Sequence, residues 1–388
     1  MREYKEIYLD NAATTKPADT IRKKAAEISE HIYGNPSSFH VIGMKSQKLM
    51  DDCRQTIGNY ISCEPDNIIF TSGGTEANNI AVTGPFLKSL LNQHNNKKRK
   101  LLISTIEHAS VFQTANFLKK FDVEVKEIPV DSQGNLNLSF LEKNIDKHTK
   151  LAAIIGVNNE IGTIQDLQTI SRIIKEKNPE TLLHVDGVQM LGKIPVNIKN
   201  LNIDSFSISA HKIHGLKGIG ALYLNNPDKY SSCLQGGGQE KGLRPGTENI
   251  TGISSLQSAI ELCRSVDNNA IKELNHFLLQ GLKQINNVKI ISPSNASPYI
   301  INFSCVGKKG EIILHFLEEK GIYLSAMSAC SNKKNKNVSR IIQSLGYNNK
   351  ISQGCLRIGL SCFNKKNEIN HFLSELKIIL KKLYHVVS

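Results

Sequence analysis

Long apolar segments and paired cysteine motifs are both missing from this 388-residue sequence. Its longest apolar runs, such as residues 151–157, are far too short to cross a bilayer. No apolar stretch follows the charged N-terminus, so we expect no signal peptide. The eight cysteines include no CxxC spacing, which argues against a disulfide framework and against a zinc ribbon. We therefore expect a cytoplasmic protein with reduced thiols, no membrane attachment and no metal.

Negative charge is scarcer than positive charge, since 35 Asp and Glu stand against 48 Lys and Arg for a net charge of +13. Such an excess could mark a surface for RNA or for an acidic protein, or it could reflect a general enrichment in lysine and asparagine. The run at 92–100 is polar throughout and indicates a surface loop, and no aromatic residues are interleaved with its basic ones. We therefore do not predict direct nucleic-acid binding.

Short apolar runs alternate with longer amphipathic segments through most of the chain, which predicts βαβ units and a mostly parallel sheet. The predicted strands are residues 68–70, 101–104, 151–157, 182–185, 206–209 and 221–224. The predicted helices include residues 76–91, 110–119 and 167–177. From about residue 260 the pattern becomes that of a smaller α+β unit, with a long helix, strands at 299–303 and 356–360, and helices at 311–320 and 367–384. We predict a large α/β domain over 1–258 and a small domain over 259–388, with an arm of residues 1–15 packing on the small domain.

A glycine-rich turn, Ser72-Gly73-Gly74-Thr75, follows the first of these strands. Glycines let the backbone approach a ligand closely, and the helix behind Thr75 presents free N–H groups and a positive dipole end. These features predict a phosphate-binding turn, although a capped strand-to-helix turn would contain the same residues. The turn matches neither GxGxxG nor the P-loop pattern, so a nucleotide is not the expected ligand.

Ionisable residues end two further strands. Asp186 follows the strand at 182–185, and its carboxylate could hold a protonated pyridine nitrogen or cap a helix. Gln189 would share its face on a helical turn. Lys212 follows the strand at 206–209, where its amine could attack an aldehyde and form an imine, or lie on the surface. Lys217 is a rival, but its glycine-rich surroundings are typical of a turn.

Three more residues complete the candidate site. His108 follows the strand at 101–104 and could stack on an aromatic ring, shuttle protons or be structural. Asn159 follows the strand at 151–157, where amides could bond a phenolic oxygen. Arg357 lies in an apolar strand and needs an anionic partner, either a substrate carboxylate or an internal acid. With the phosphate turn, Asp186 and Lys212, these residues describe a pyridoxal phosphate site for an α-amino acid.

A candidate sulfur nucleophile, Cys330, lies in a segment of small residues that runs from Ser325 to Asn332. The next residues are basic and include Lys333, Lys334 and Lys336. These lysines would favour the thiolate and steer an acidic acceptor protein, or they form a solvated loop of lysine-rich composition.

The segments, taken in order, resemble the cysteine desulfurases of the class V branch of the fold-type I aminotransferases. The matching blocks are Tyr8 to Thr15, Gly34 to His40, Ser72 to Asn79, Glu107-His108, Asn158 to Gly162, Val185-Asp186, Ser209 to Lys212, Arg244 to Asn249 and Ser328 to Ser331. The blocks run from one end of the chain to the other, which makes the resemblance specific.

The resemblance implies a fold-type I aminotransferase with pyridoxal 5'-phosphate as cofactor. It implies that Lys212 holds the cofactor as an imine, that Asp186 faces the ring nitrogen, and that His108 stacks on the ring and assists proton transfer. The implied contacts to the ring oxygen side are Asn159 and Gln189. The implied phosphate site comprises the turn at Gly74, then Thr75, Ser209 and His211, and Thr247 of the partner subunit in a homodimer.

The implied reaction converts L-cysteine to L-alanine and leaves a persulfide on Cys330. Asn35 and Arg357 would hold the substrate carboxylate. The sulfur would pass to an iron–sulfur scaffold or a tRNA-thiolating enzyme. The residues before Cys330 and the basic run after it depart from the common family pattern, which leaves the chemistry intact and the acceptor open.

Two alternatives accompany this reading. A selenocysteine lyase or another class V β-eliminase would use the same cofactor site. A non-catalytic binder on an aminotransferase scaffold would not need Lys212, Asp186 and Cys330, all of which are present.

Overall fold

Strands and helices alternate along the chain in the computed structural model, which describes residues 6–91, 99–327 and 339–385. The strands are β1 (Ile7–Tyr8), β2 (Ile68–Thr71), β3 (Arg99–Ser104), β4 (Val123–Ile128), β5 (Thr149–Ile155), β6 (Leu182–Asp186), β7 (Ser205–Ser209), β8 (Gly220–Leu224), β9 (Val288–Ile290), β10 (Ile300–Cys305), β11 (Ile322–Tyr323), β12 (Ser325–Ala326) and β13 (Cys355–Gly359). The helices are α1 (Asp19–His31), α2 (Val41–Ile61), α3 (Gly74–Leu91), α4 (Ala109–Leu118), α5 (Leu138–Asn144), α6 (Leu167–Lys177), α7 (Ile198–Leu201), α8 (Ile250–Ser265), α9 (Asn268–Lys283), α10 (Gly310–Glu318), α11 (Arg340–Ser344), α12 (Asn349–Ser352) and α13 (Lys366–His385). No helix in these ranges is both long enough and apolar enough to span a membrane.

A seven-stranded sheet in the order β2-β8-β7-β6-β5-β3-β4 forms the centre of the larger unit. Its strands are parallel except β8, which runs antiparallel to both of its neighbours. Buried apolar side chains cover both faces of the sheet, as a mostly parallel sheet requires. The predicted α/β class is confirmed, and each of the six predicted strands matches an observed one to within two residues.

A second, antiparallel sheet in the order β12-β13-β10-β9 forms the smaller unit, with α9, α10 and α13 packed on a core of its own. The N-terminal strand β1 pairs with β11 of this unit, and Ile7 and Leu9 enter its core. The predicted boundary at 258–259 falls inside α8, which packs against α1 and α2. The division of the chain at that residue stays a prediction.

The carboxyl ends of the parallel strands bring the functional segments to one edge of the large sheet. Gly74 follows β2 and begins α3, whose first turn lies close to the loop after β6. A Cβ atom at Gly74 would stand 2.5 Å from Cγ2 of Val188, and Gly73 has a φ of 153°. Gly74 therefore favours glycine because a side chain would collide with Val188, and Gly73 favours it because residues with a Cβ rarely adopt that φ.

Candidate active site

A cavity of about 550 Å³ opens at this edge of the large sheet. Ten of the residues predicted from the sequence line it, namely Gly74, Thr75, His108, Asn159, Asp186, Gln189, Ser209, His211, Lys212 and Arg357. Asn35 and Thr247 are exposed residues outside this lining. Cys330 and the lysines at 333–336 lie outside the described residues.

Lys212 lies in a short 3₁₀ turn directly after β7. Its Nζ donates hydrogen bonds to the carbonyl oxygens of Ala12 and Ala13, each at 2.7 Å. Burial and the nearby Arg357 lower the pKa of this amine to about 8, against the opposing pull of Asp186. About a tenth of the amine is therefore unprotonated at pH 7, which is far more than for an ordinary lysine, and the unprotonated form is the nucleophile. Lys217 also lines the cavity, but its side chain is exposed.

The predicted phosphate turn lies beside Ser209 and His211. Ser209 is 3% exposed, and its Oγ has no hydrogen-bond partner among the residues described. Burial and the charges of Lys212 and Lys217 lower the pKa of His211 to about 4, so its imidazole is neutral and can donate through one nitrogen. A buried hydroxyl without a partner, next to the N-terminus of α3, fits a phosphate group.

Asp186 ends β6 and is 3% exposed. Its Oδ2 accepts a hydrogen bond from Nδ2 of Asn78 at 2.8 Å, and its Oδ1 accepts one from the backbone N–H of Val188 at 3.1 Å. The carboxylate therefore braces the loop after β6 and also lines the cavity, so both of its sequence-based roles are compatible with the structure.

Gln189 lies in the turn after β6, where the backbone N–H of Leu191 donates to the carbonyl oxygen of Gly187 at 3.0 Å, as in one turn of a helix. Gly187 at the start of this loop has the aromatic ring of Phe206 against it, which leaves no room for a side chain. The Nε2 of Gln189 donates to the carbonyl oxygen of Ala12 at 2.9 Å, and its Oε1 accepts from Lys193 at 2.6 Å. Its amide is thus held between the N-terminal arm and a buried lysine.

His108 caps the N-terminus of α4, where its Nδ1 accepts the backbone N–H of Ser110 at 3.2 Å. The ring is exposed in the cavity, and the protein packed around it lowers its pKa below 6.5. Asn159 lies across the cavity, and its Oδ1 is buried with no partner in the described part of the chain. Both side chains are therefore available to a bound ring.

Arg357 reaches the cavity from β13 of the smaller unit. Its Nη2 pairs with Oδ1 of Asp10 at 2.9 Å, and its Nη1 donates to the carbonyl oxygen of Asn159 at 3.0 Å. The internal ion pair that the sequence left open is therefore present, yet the arginine also lines the cavity. Its buried Nε finds no acceptor within the described ranges, which leaves one donor for an anion.

Met327 and Ser339, on either side of the undescribed residues 328–338 that include Cys330, are bonded to each other. The backbone N–H of Ser339 donates to the carbonyl oxygen of Met327 at 3.1 Å. The guanidinium of Arg340 donates to the carbonyl oxygens of Thr105 and Glu107, next to His108. Arg340, which follows the segment, is therefore tied to the turn that carries His108.

Several residues of the site were not singled out from the sequence. Asp10, Ala12 and Ala13 lie in the N-terminal block, and Asn78 lies in the glycine-rich block that carried the family resemblance. Ser110, which contacts both Asn78 and His108, gave no signal beyond its place in α4. The blocks located these residues, but nothing in the sequence showed which atoms they contact.

Comparisons with known proteins agree with this geometry. A family model described as aminotransferase class-V matches residues 7–372. A protein of Dictyoglomus turgidum named cysteine desulfurase IscS is 37% identical over 385 residues, with 98% of this chain and 95% of the relative covered. A protein of Clostridium botulinum with the same name is 35% identical, with 97% of this chain and 95% of the relative covered. The solved structure of a NifS-like protein has a TM-score of 0.89 and 34% identity, over 97% of this chain and 100% of that one.

The matched model and the cavity at the strand ends show that the chain belongs to the class V aminotransferase family. The two relatives reported above are named cysteine desulfurases, and the resemblance seen in the sequence is confirmed. The family implies pyridoxal phosphate as cofactor, and the residues present fit it, because Ser209 offers an unpaired hydroxyl and Lys212 a partly neutral amine.

Proposed function

We propose that this chain is a cysteine desulfurase that converts L-cysteine to L-alanine, using pyridoxal 5'-phosphate and passing sulfur through Cys330. The observation that carries the proposal is the amine of Lys212, whose pKa is lowered to about 8 inside the cavity that Asp186 also lines. A lysine nucleophile opposite a carboxylate is what a covalently held pyridine aldehyde needs.

The chain's own residues would hold the cofactor at both ends. Gly74, Thr75, Ser209 and His211 would bind the phosphate, and the covalent bond would form at Nζ of Lys212. The carboxylate of Asp186 would keep the ring nitrogen protonated. When bound, the cofactor withdraws electrons from the substrate and so opens the thiol sulfur to attack.

The remaining lining residues would orient the ring and the substrate. His108 would stack on the ring, while Gln189 and Asn159 would contact its oxygen side. Arg357 would offer Nε to the substrate carboxylate while Asp10 pairs with Nη2 of the same guanidinium. Asn35, as a second carboxylate ligand, rests on the family resemblance alone.

Cys330 is proposed as sulfur acceptor partly because the other cysteines are unsuitable. Burial raises the thiol pKa of Cys63, Cys263, Cys305 and Cys355 to about 12, and that of Cys53 and Cys362 above the ordinary value. A thiol with a raised pKa supplies little thiolate at neutral pH. Cys233 is exposed but lies outside the cavity lining. From Cys330 the sulfur would go to an acidic acceptor, an iron–sulfur scaffold or a tRNA-thiolating enzyme.

The proposed reaction is tested by measuring products from L-cysteine. We expect the cofactor-loaded protein to release alanine and sulfide in equal amounts when a small thiol reductant is present. Equal amounts follow because the sulfur leaves the substrate while its amino group stays. L-Selenocysteine is assayed in parallel, and a strong preference for it would favour a selenocysteine lyase. Pyruvate and ammonia in place of alanine would instead indicate β-elimination.

We also propose a homodimer with shared active sites. In one subunit Thr247 lies outside the cavity lining, on an exposed loop. A cluster of large apolar side chains, Tyr33, Phe39, Val41 and Met44, is exposed around the start of α2, and Phe39 is 99% exposed. Exposed apolar clusters of this kind are typical of protein interfaces, and a second copy would cover this one.

A subunit-mixing experiment tests the shared site. Lys212→Ala and Thr247→Asp should each be inactive, because the first loses the amine and the second places a carboxylate against the phosphate. In a mixed dimer, one site would combine Lys212 of one subunit with Thr247 of the other, both wild type. We therefore expect mixing to restore activity, up to about half per mixed dimer. No recovery in dimers whose mixed composition is verified by mass spectrometry would show that Thr247 acts within its own subunit or not at all.

A further inference from the structure

A cluster of buried polar side chains lies beneath the cavity, between the sheet and helices α3 and α4. Asn78 is 1% exposed and His184 is fully buried. The Nδ2 of Asn78 lies 2.8 Å from Oδ2 of Asp186 and 2.8 Å from Oγ of Ser110. Its Oδ1 lies 3.0 Å from Nε2 of His184, whose Nδ1 lies 2.9 Å from Oγ of Ser205. Asn78 therefore links Asp186 to the residue that contacts His108.

The direction of each hydrogen bond in this cluster is determined by chemistry. The carboxylate of Asp186 only accepts, so the Asn78 amide must turn its NH₂ group toward it. The amide oxygen then faces His184 and accepts from its Nε2–H. Burial lowers the pKa of His184 to about 4, so the ring is neutral and its Nδ1 accepts from the hydroxyl of Ser205. Each hydrogen bond in the cluster therefore has one donor and one acceptor, with no conflict between them.

The same ordering reaches His108 through Ser110. The Oγ of Ser110 accepts the second proton of the Asn78 NH₂ group. Its own proton is then free for Nδ1 of His108, 2.8 Å away. The backbone N–H of Ser110 points at the same Nδ1 atom from 3.2 Å. Two donors facing Nδ1 leave no place for a proton there.

We propose that Asn78 and Ser110 are positioning residues that hold His108 as a neutral imidazole with its proton on Nε2. The imidazolium would need a proton on Nδ1, directed at the N–H of Ser110 at the start of α4. His108 therefore offers the cavity a hydrogen-bond donor. The proton-transfer role that the family resemblance implies for His108 stays a prediction, and this tautomer places the exchangeable proton at Nε2. What the Nε2–H donor would contact in the cavity rests on the proposed function. The tautomer itself follows from the hydrogen bonds.

The charged groups that face His108 oppose each other. Asp186, from β6, favours the protonated ring, and Lys212, from the turn after β7, disfavours it. The protein packed around the imidazole is the largest influence and lowers its pKa. The neutral ring should consequently persist throughout the range above pH 6.5, where an unperturbed histidine is also neutral, and some way below it.

The test is nitrogen NMR of the cofactor-loaded protein carrying ¹⁵N-labelled histidine, with the His108 signals identified by their loss in His108→Gln. We expect the wild-type ring to show the Nε2–H tautomer and no titration between pH 6 and pH 8. Ser110→Ala removes the hydroxyl but keeps the backbone N–H. We expect it to give a mixture of tautomers, a pKa closer to 6.5, and a kcat roughly tenfold lower with little change in KM.

Thr114→Val is the matched control. Thr114 lies one turn further along α4 and is 6% exposed, and its hydroxyl bonds Oδ1 of Asn79 and the carbonyl oxygen of Ser110. Its loss removes a comparable buried hydroxyl without touching the imidazole, so the His108 signals should stay as in the wild type. Asn78→Asp, which keeps the oxygen that His184 needs but sets a carboxylate against Asp186, should perturb the His108 signals more than Ser110→Ala does.

A wild-type His108 found as the Nδ1–H tautomer or as imidazolium at pH 7 would overturn the proposal. So would His108 signals that Ser110→Ala leaves unchanged. These readouts do not depend on turnover. A protein with the expected tautomer that makes no alanine from L-cysteine would reject the proposed function and leave this inference standing.

Discussion

Replacing Lys212 by alanine should abolish turnover and covalent cofactor attachment together. Lys212 is the amine of the cavity that burial makes partly neutral, with a pKa lowered to about 8, and the carbonyl oxygens of Ala12 and Ala13 direct its Nζ. The expected loss is at least about a thousandfold in kcat, because the variant lacks the nucleophile that holds the cofactor. The measurement combines the visible absorption of the loaded protein with mass spectrometry after borohydride reduction.

Lys217→Ala is the matched control for this prediction. Lys217 lines the same cavity, but its side chain is exposed and it lacks the hydrogen bonds that direct Lys212. Normal attachment and turnover are expected of Lys217→Ala. The reverse pattern, with Lys212→Ala active and Lys217→Ala inactive, would show that Lys217 and not Lys212 forms the covalent bond.

The same amine predicts a pH dependence of cofactor loading. Burial lowers the pKa of Lys212 to about 8 from the ordinary lysine value of 10.5. Its neutral, nucleophilic form therefore becomes the majority above about pH 8. The rate at which cofactor-free protein takes up pyridoxal phosphate should therefore rise from pH 7, reach half of its plateau near pH 8 and level off by about pH 9. A rate still rising steeply at pH 10 would show that the amine keeps its ordinary pKa.

Replacing Cys330 by alanine should leave the cofactor bound while persulfide formation falls below detection. Six of the seven cysteines in the described residues have thiol pKa values raised by burial, so they supply little thiolate to accept sulfur. Alanine release should fall at least about a hundredfold, because the substrate sulfur then has no nucleophile to receive it. Mass spectrometry of the protein after one equivalent of L-cysteine measures the persulfide directly.

Cys233→Ala serves as control, because Cys233 is the exposed cysteine of the described ranges and lies outside the cavity lining. It should form persulfide and alanine at wild-type rates. Wild-type alanine release by Cys330→Ala would show that another residue accepts the sulfur. A gain in mass of one sulfur atom at Cys233 would identify Cys233 as that residue.

Most of the large sheet could be predicted, and the exception has a physical cause. The six predicted strands are short segments rich in apolar residues, which is the pattern of strands buried on both faces. The missed strand β4 lies at the edge of the sheet, and its sequence, residues 123–128, alternates apolar and charged residues. Residues 124–127 of β4 are partly or fully exposed, whereas β2 at the opposite edge is buried throughout, so β4 needs less apolar sequence and its pattern is weaker.

The sequence by itself determined which residue types are present at the strand ends. Parallel strands bring their carboxyl ends to one edge, so the glycine turn, His108, Asn159, Asp186 and Lys212 could be assembled without coordinates. It did not determine their partners. Lys212 bonds carbonyl groups about 200 residues away, Arg357 pairs with Asp10 across 347 residues, and Asn78 joins Asp186 to Ser110 from a different element. Only the tertiary structure decided these contacts, because a hydrogen bond forms within about 3 Å and each of these depends on how separate strands, helices and the N-terminal arm pack together.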